Sequence, residues 1–382
     1  MVVIGAGIMG TSAAYHLAAR GWRNIVVLDR APRAGLGSTG KATGGFRAQF
    51  STPVNVKLSL LARDKLQRFE EEIGVDPGYA QAGYLWLASS EAEREILRGA
   101  LAVQHAAGLE ESYEATLDEV STINPAASLD GILSGFFCPT DGFISPLAIL
   151  SGYAAAADRL GVRFEWDAEV VAIECEPSGP ITHVVTPRER IAADFVIDAA
   201  GPWARDVARL AAADLPVTPL RRQVAATMPM SVLPSAMPMT IWVRDQFHLR
   251  VRDGRALLLY PTPGIPGRPY DATLDASWLD EVGAIARARL PVLAPVAIDP
   301  EASWAGLYEM TPDRHSVLGA APECPNLFYI CGSSGHGVMH STALGQLLAE
   351  ILTDGRSSSV DVTGLSPARF AAGVSAQAAD VL

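Results

Sequence analysis

Basic charge is scarce in this chain of 382 residues: 30 Lys and Arg stand against 42 Asp and Glu, a formal net charge of -12. That balance excludes nucleic acid as an expected partner, because phosphate recognition needs clustered Lys and Arg and no basic stripe occurs. Cysteine is sparse as well. Cys138, Cys175, Cys324 and Cys331 show neither C-x-x-C nor zinc-like spacing, which predicts free thiols, no disulfides and a reducing, cytoplasmic compartment. No uncharged apolar run reaches about eighteen residues, so no membrane span is expected. The apolar start has no basic n-region and is interrupted by glycines, unlike a signal peptide. Internal repeats and low-complexity segments are also missing. The length exceeds one compact core and predicts two domains, or one domain carrying a large insertion.

What is present begins at the first residues. Val2-Val3-Ile4 is a β-branched run leading into Gly5-Ala6-Gly7-Ile8-Met9-Gly10, followed by a helix-compatible stretch to Arg20. A second apolar run, Ile25 to Leu28, ends in Asp29, nineteen residues past Gly10. In this G-x-G-x-x-G pattern Gly5 permits a tight turn, Gly7 lets a pyrophosphate approach the backbone, and Gly10 lets the helix pack close to the strand. The helix N-terminus then faces the phosphates, and Asp29 sits where a carboxylate takes ribose hydroxyls. Strand, glycines, helix, strand and acid in register point to a bound dinucleotide.

Ala31 to Phe50 is dense in Gly, Ser and Thr and too long for a plain connection, which marks it as a binding loop. Val54 to Ile73 reads as one helix, Gly83 to Ala88 as a strand, Glu91 to Ala107 as a helix, Pro146 to Leu160 as a helix opened by its proline, and Val162 to Trp166 as a strand. Asp194 to Gly201 is a buried strand ending in a small-residue turn. Between Leu215 and Pro300, β-branched and aromatic runs at Ile241 to Val243, Phe247 to Val251 and Ala256 to Tyr260 alternate with Pro and Gly turns. That pattern predicts an antiparallel sheet, with one helix near Trp278 to Arg289. Leu327 to Gly332 restores α/β character ahead of a helix from about Ser341 to Leu352.

Four glycine-rich turns border strands or open helices: Gly5 to Gly10, Gly35 to Gly45, Ala199 to Trp203, and Gly332 to Gly337. A nicotinamide enzyme needs chiefly the first, whereas a bulkier cofactor spread across the sheet needs several close backbone approaches, which points to FAD. The expected fold is α/β: a discontinuous Rossmann-like FAD-binding domain (1–82, 142–214 and 304–382) with an inserted α+β substrate domain (83–141 and 215–303) built on an antiparallel sheet.

Beyond the fingerprint, five segments carry a resemblance: Gly37-Ser38-Thr39-Gly40 with Gly44 to Phe50, Val196 to Trp203, Trp304 to Tyr308, Thr311 to Arg314, and Gly332 to Met339. Together they resemble the D-amino acid oxidase superfamily of FAD-dependent amine oxidoreductases, in the branch with sarcosine oxidases, dimethylglycine dehydrogenase and the β subunit of L-proline dehydrogenase. The resemblance implies that Gly5, Gly7, Gly10 and Asp29 hold the ADP half, Arg30 the adenosine edge, and Ser38 and Thr39 the pyrophosphate. Val170 contacts adenine through its backbone and Ala200-Gly201 lie beside the nucleotide. Gly335, His336, Gly337, Val338 and Met339 cover the flavin ring, with Arg47 close to it. The implied cofactor set also takes in Ile8, Met9, Lys41, Ala42, Thr43, Gly45, Gly44, Trp203, Gly306 and Tyr308.

Three departures concern the flavin linkage. Family members tether the flavin through a cysteine where this chain has Gly306, through a histidine where it has Pro146, or through a histidine where it has Lys41. The implied FAD is therefore noncovalent. The carboxylate anchors of relatives are replaced as well, by Met339 and Tyr308, which leaves Arg47, Arg250 and Arg222 as candidates, since a carboxylate in a dry pocket needs a fixed cation. His248 stands at a strand position similar to an active-site tyrosine of glycine oxidases, and Tyr260, Trp242 and Trp304 are candidate pocket walls. Arg47, His248, Tyr308 and His336 form the expected catalytic group, and Arg250 and Tyr260 complete the substrate set. His336 and His340 have i, i+4 spacing but lack a third ligand, so no metal is expected.

The resemblance implies oxidation of a small secondary or N-methylated amino acid, sarcosine-like or proline-like, to the imine, with O2 or another acceptor reoxidising the flavin. A glycine or D-amino acid oxidase activity, and a flavin-carrying β-type subunit of a larger dehydrogenase complex, stay open as alternatives.

Overall fold

The computed structural model describes residues 1–176 and 179–371. Five strands, four of them mainly apolar, lie parallel in one sheet of six strands. Its spatial order is Val317–Ala320, Leu327–Cys331, Val196–Asp198, Val2–Ile4, Val26–Leu28 and Arg163–Glu165, with only Val317–Ala320 antiparallel. The central strands read as continuous apolar runs because both of their faces are covered. Val3, Val27 and Ile197 point to one side, where the helices Ile8–Ala19, Pro146–Arg159 and Gly337–Asp354 supply Ala13, Leu17, Ile149, Leu344 and Leu348. Val2, Ile4 and Val196 point to the other, against Ala204, Ala208 and the small sheet of Ala172–Cys175, Ile181–Val185 and Arg190–Ala192. Period-two alternation thus feeds two cores from each strand.

A second sheet has eight strands in the order Ile298–Met310, Thr218–Thr227, Arg255–Leu259, His248–Arg252, Met239–Trp242, Tyr84–Ala88, Ser134–Cys138 and Tyr113–Ala115. One face buries Leu85, Leu87, Trp242, Leu249 and Leu258 under the helix Ala276–Arg289, through Trp278 and Val282. The other presents Tyr84, Trp86, Met239 and Ile241. The antiparallel expectation holds except between Met239–Trp242 and Tyr84–Ala88, which run parallel.

Several boundaries differ from the sequence reading. The stretch 54–73 is two helices, Pro53–Gln67 and Phe69–Ile73, because Arg68 leaves helical geometry (φ -102°, ψ 2°). The last helix begins at Gly337 rather than Ser341, since packing holds in helical form glycines whose propensity alone favours a turn. The long strands Thr218–Thr227 and Ile298–Met310 were not picked out, although the first lies in the stretch expected to form the antiparallel sheet. Pro219 and Pro300 hide them; Pro219 lies beyond the Val224–Ala226 stretch that pairs with Arg255–Leu259, and Pro300 lies where the register shifts between Val224 and Ala226. Ile298–Met310 also runs straight across residue 304, so that expected domain boundary falls inside a strand. Among the described residues, no helix is long and apolar enough to cross a membrane.

The fingerprint helix approaches its strand so closely that a Cβ on Gly10 would stand 1.9 Å from the Gly5 carbonyl oxygen. Gly99, inside the helix Glu91–Ala106, has nothing within 4 Å of the same construction. Gly10→Ala is therefore expected to destabilise by about 2 kcal/mol or more through overpacking, and Gly99→Ala to stabilise by about 0.5–1 kcal/mol through helix propensity. Urea unfolding of the two variants with excess FAD checks both signs.

Candidate active site

A cavity of about 1100 Å³ opens at the C-terminal ends of the parallel strands and continues to the Tyr84–Trp86 face of the eight-stranded sheet. Open α/β sheets place ligands at this edge. Gly10, Arg250 and Trp242 are outside the cavity wall; the other cofactor and substrate residues expected from sequence line it.

At the first end, Asp29 is fixed by two backbone donors, with Ala6 N–H 2.7 Å from one carboxylate oxygen and Ala31 N–H 2.8 Å from the other. The Arg30 guanidinium lies 4.0 Å over the Trp203 ring, and Trp203 stacks on Tyr270 at 5.7 Å. In the middle, Ile8 N–H donates to Thr39 Oγ1 at 3.1 Å, and Ser38 Oγ donates to the Leu307 carbonyl at 2.7 Å. Gly335 (φ +99°) admits no side chain, because the Tyr308 ring fills that space at 2.5 Å. An elongated cavity with a fixed carboxylate, a helix N-terminus and a wide aromatic end fits FAD. Glu309, which sequence reasoning missed, also lines the middle, and its Oε2 is buried without a partner. No sequence signal marks it, since glutamates in strands usually face water.

The far end is cationic. Arg47 is buried, stacks 3.8 Å over Phe50 and 5.2 Å from Trp86, donates to the Gln49 carbonyl, and has one amino group 3.3 Å from His336 Nε2. Arg222 donates to the Thr262 carbonyl at 2.8 Å and lies 5.8 Å from the Tyr308 ring. Among the described residues neither guanidinium has an ion-pair partner. Burial pulls both below the ordinary arginine value, Arg47 to about 10, so both are cations at neutral pH. Burial likewise pulls His248 down to about 4 and His336 well below the usual imidazole range, which leaves both neutral. His248 Nδ1 is 2.8 Å from the Gln246 carbonyl; the tautomer assigned from this contact carries its proton on Nδ1 and leaves Nε2 an acceptor.

Arg250 has different contacts. It donates to the carbonyls of Thr43 (2.7 Å) and Gly44 (3.1 Å) and lies 3.7 Å over Phe143, so it braces the loop behind the cavity. Tyr260 and Trp304 are on the wall, whereas Trp242 is buried in the core beneath the sheet. Tyr84 and Trp86, two further wall residues, were legible in the alternation of their strand but were not singled out.

A sequence model described as "FAD dependent oxidoreductase", DAO, matches residues 1–351. The FAD-dependent oxidoreductase domain-containing protein 1 of Xenopus laevis is 27% identical, over 97% of this chain and 82% of its own. The mitochondrial dimethylglycine dehydrogenase of Rattus norvegicus is 28% identical over 97% of this chain, which spans only 44% of that relative. Among solved structures, L-proline dehydrogenase from P.horikoshii superposes with a TM-score of 0.90 at 27% identity, covering 98% of both chains. The match spans the fingerprint, the loop at 38–50 and the glycine turns that wall the cavity, and the chain belongs to the DAO family of FAD-dependent oxidoreductases.

Proposed function

We propose that the protein oxidises a small secondary or N-methylated amino acid to its imine, with the substrate carboxylate held between Arg47 and Arg222. The observation that carries this reading is the pair of guanidiniums on the cavity wall, Arg47 buried and Arg222 partly so, neither of which has an ion-pair partner among the described residues. Buried charges normally have partners, and an anionic ligand supplies the missing one. Bound FAD supplies the acceptor, at N5 of its ring, for the hydride equivalent leaving the amine carbon. The chain's own contribution is electrostatic. Two cations and two neutral imidazoles disfavour an ammonium, so an amine binds preferentially without its proton, the form able to donate hydride. The neutral His248 Nε2 is positioned to accept a hydrogen bond from it. The names of the relatives, dimethylglycine dehydrogenase and L-proline dehydrogenase, support the same substrate class.

The flavin linkage belongs to this proposal. A Cβ on Gly306 would lie 2.8 Å from Lys41 Cβ, so the two family tether positions share one spot, and neither carries a nucleophile used for that bond. Denaturation in acid is expected to release all the flavin into the supernatant. Fluorescence on the denatured polypeptide in a gel overturns the noncovalent reading.

Anaerobic mixing with sarcosine, N,N-dimethylglycine and proline tests the substrate class: one or more should bleach the flavin, and the corresponding amines without a carboxylate should not. Bleaching by none of the amino acids rejects the proposal, and the rate of colour return in air separates an oxidase from a dehydrogenase. Arg222→Met should lower kcat/KM for the bleaching substrate by about 100-fold, the loss of one charge-assisted contact of about 2.7 kcal/mol. A change under about threefold in steady-state kinetics removes Arg222 from the anchor.

A further inference from the structure

Glu309 follows Tyr308 on the strand Ile298–Met310 and lines the middle of the cavity, away from the substrate end. Its Oε1 accepts the Ser333 N–H at 3.1 Å. Its Oε2 is shielded from solvent and has no hydrogen-bond partner among the described residues. The carboxyl is bracketed by two glycine turns: a Cβ on Gly201 would lie 3.6 Å from Oε2, and one on Gly337 3.6 Å from Oε1. Met9, of the phosphate-binding fingerprint, reaches the same place, with its Cε 3.4 Å from the Gly337 construction. A shielded oxygen without a partner, held between the turns that approach a dinucleotide most closely, is a built contact for a polar group of that dinucleotide.

We propose that Glu309 binds the cofactor as a neutral carboxylic acid, donating a hydrogen bond from Oε2 to a phosphate or ribityl oxygen of FAD. An ionised carboxylate in this position would confront the cofactor's diphosphate, and nothing cationic offsets it. Burial favours the protonated form, against the pull of the Ser333 and Gly332 N–H groups and the Ser333 hydroxyl. The titratable groups it is coupled to are Asp198 and Cys331, both in the parallel sheet, and a charge on Glu309 holds each of them toward its protonated form. Asp198 is itself buried, with Oδ1 on the Ala200 N–H at 3.0 Å and Oδ2 without a partner. Burial raises Glu309 to about 7. In the free protein it therefore titrates near neutrality, and the anionic cofactor raises it further.

The sign of the linkage follows. A group whose proton is held more tightly in the FAD complex favours binding below its value in the free protein and weakens binding as pH rises through that value. FAD affinity should thus fall on the alkaline side of about pH 7, with proton uptake on binding. This rests on FAD as the cofactor and not on the substrate reading.

The test is FAD release from diluted holoenzyme, read as recovered flavin fluorescence between about pH 6.5 and 8.5, in wild type and Glu309→Gln. Wild-type Kd should rise about tenfold or more across this range, whereas that of E309Q, which donates a hydrogen bond at every pH, should change less than about threefold. Parallel curves for the two proteins overturn the proposal. A second measurement needs no variant: FAD added to weakly buffered wild-type apoprotein near pH 8 should take up about half a proton or more per site, and zero uptake or release overturns the proposal. Failure of the noncovalent reading is distinguishable, because flavin then stays on the denatured chain at every pH.

Discussion

A segment that crosses between two sheets must satisfy its backbone from outside itself, and the geometry of the site depends on how residues 38–50 do so. Ser38 donates to the Leu307 carbonyl, Trp304 Nε1 donates to the Lys41 carbonyl at 2.8 Å, Arg250 holds the Thr43 and Gly44 carbonyls, and Asp141 accepts the Ala48 N–H at 2.7 Å. All four partners lie on or beside the eight-stranded sheet, while Thr39 accepts from Ile8 at the fingerprint helix. The segment is thereby a strap between the FAD fingerprint and the aromatic face. Arg47 acquires its position from that strap rather than from a rigid element of its own.

The electrostatics follow from where the strap leads. Asp141 is fully buried and its carboxyl is pushed up to about 7 by that burial, although two backbone N–H groups and Arg47 pull the other way. An acid so reluctant to ionise neutralises Arg47 only in part. The positive end of the cavity is consequently maintained by the fold, with Arg47 stacked on Phe50 and Arg222 beside Tyr308. On the proposed reading, a cationic pocket next to the flavin would favour an anionic donor with an uncharged amine by charge alone, before shape is considered.

How much of this was legible in the sequence depended on whether a signal is local. The fingerprint, Asp29 and the buried strands announced themselves because backbone period and glycine spacing are set by neighbours in sequence. The roles of Lys41 and Gly306 came from resemblance, and their convergence at one point is a tertiary fact, since 265 positions in sequence separate what a Cβ would bring within 2.8 Å. The strands Thr218–Thr227 and Ile298–Met310 were hard to see because prolines, and a register shift between Val224 and Ala226, interrupt the pairing that runs from Thr218 with Met310 to Thr227 with Ile298. Arg222 and Arg250 looked equivalent, as charged residues in β-rich sequence. Only the side of the sheet and the nearest free carbonyls separate a wall residue from a brace.

Glu309 shows the same limit from the opposite direction. An acid in a strand reads as a solvent-facing residue, and the strand Ile298–Met310 alternates too weakly for its two faces to be told apart. Its environment is made by remote segments: the turn at Gly201, the Ser333 amide and the start of the helix at Gly337. The wall therefore changes character along its length, from Asp29 and the helix N-terminus, through Glu309 with the buried acid Asp198 behind it, to the guanidiniums of Arg47 and Arg222. On the proposed reading, the acid in the middle is compatible with an anionic cofactor while protonated, and the cations at the end would be paired by an anionic substrate. The proposed ligands would thus offset opposite charge states along one cavity, where the described residues supply no ion pair to Glu309, Arg47 or Arg222.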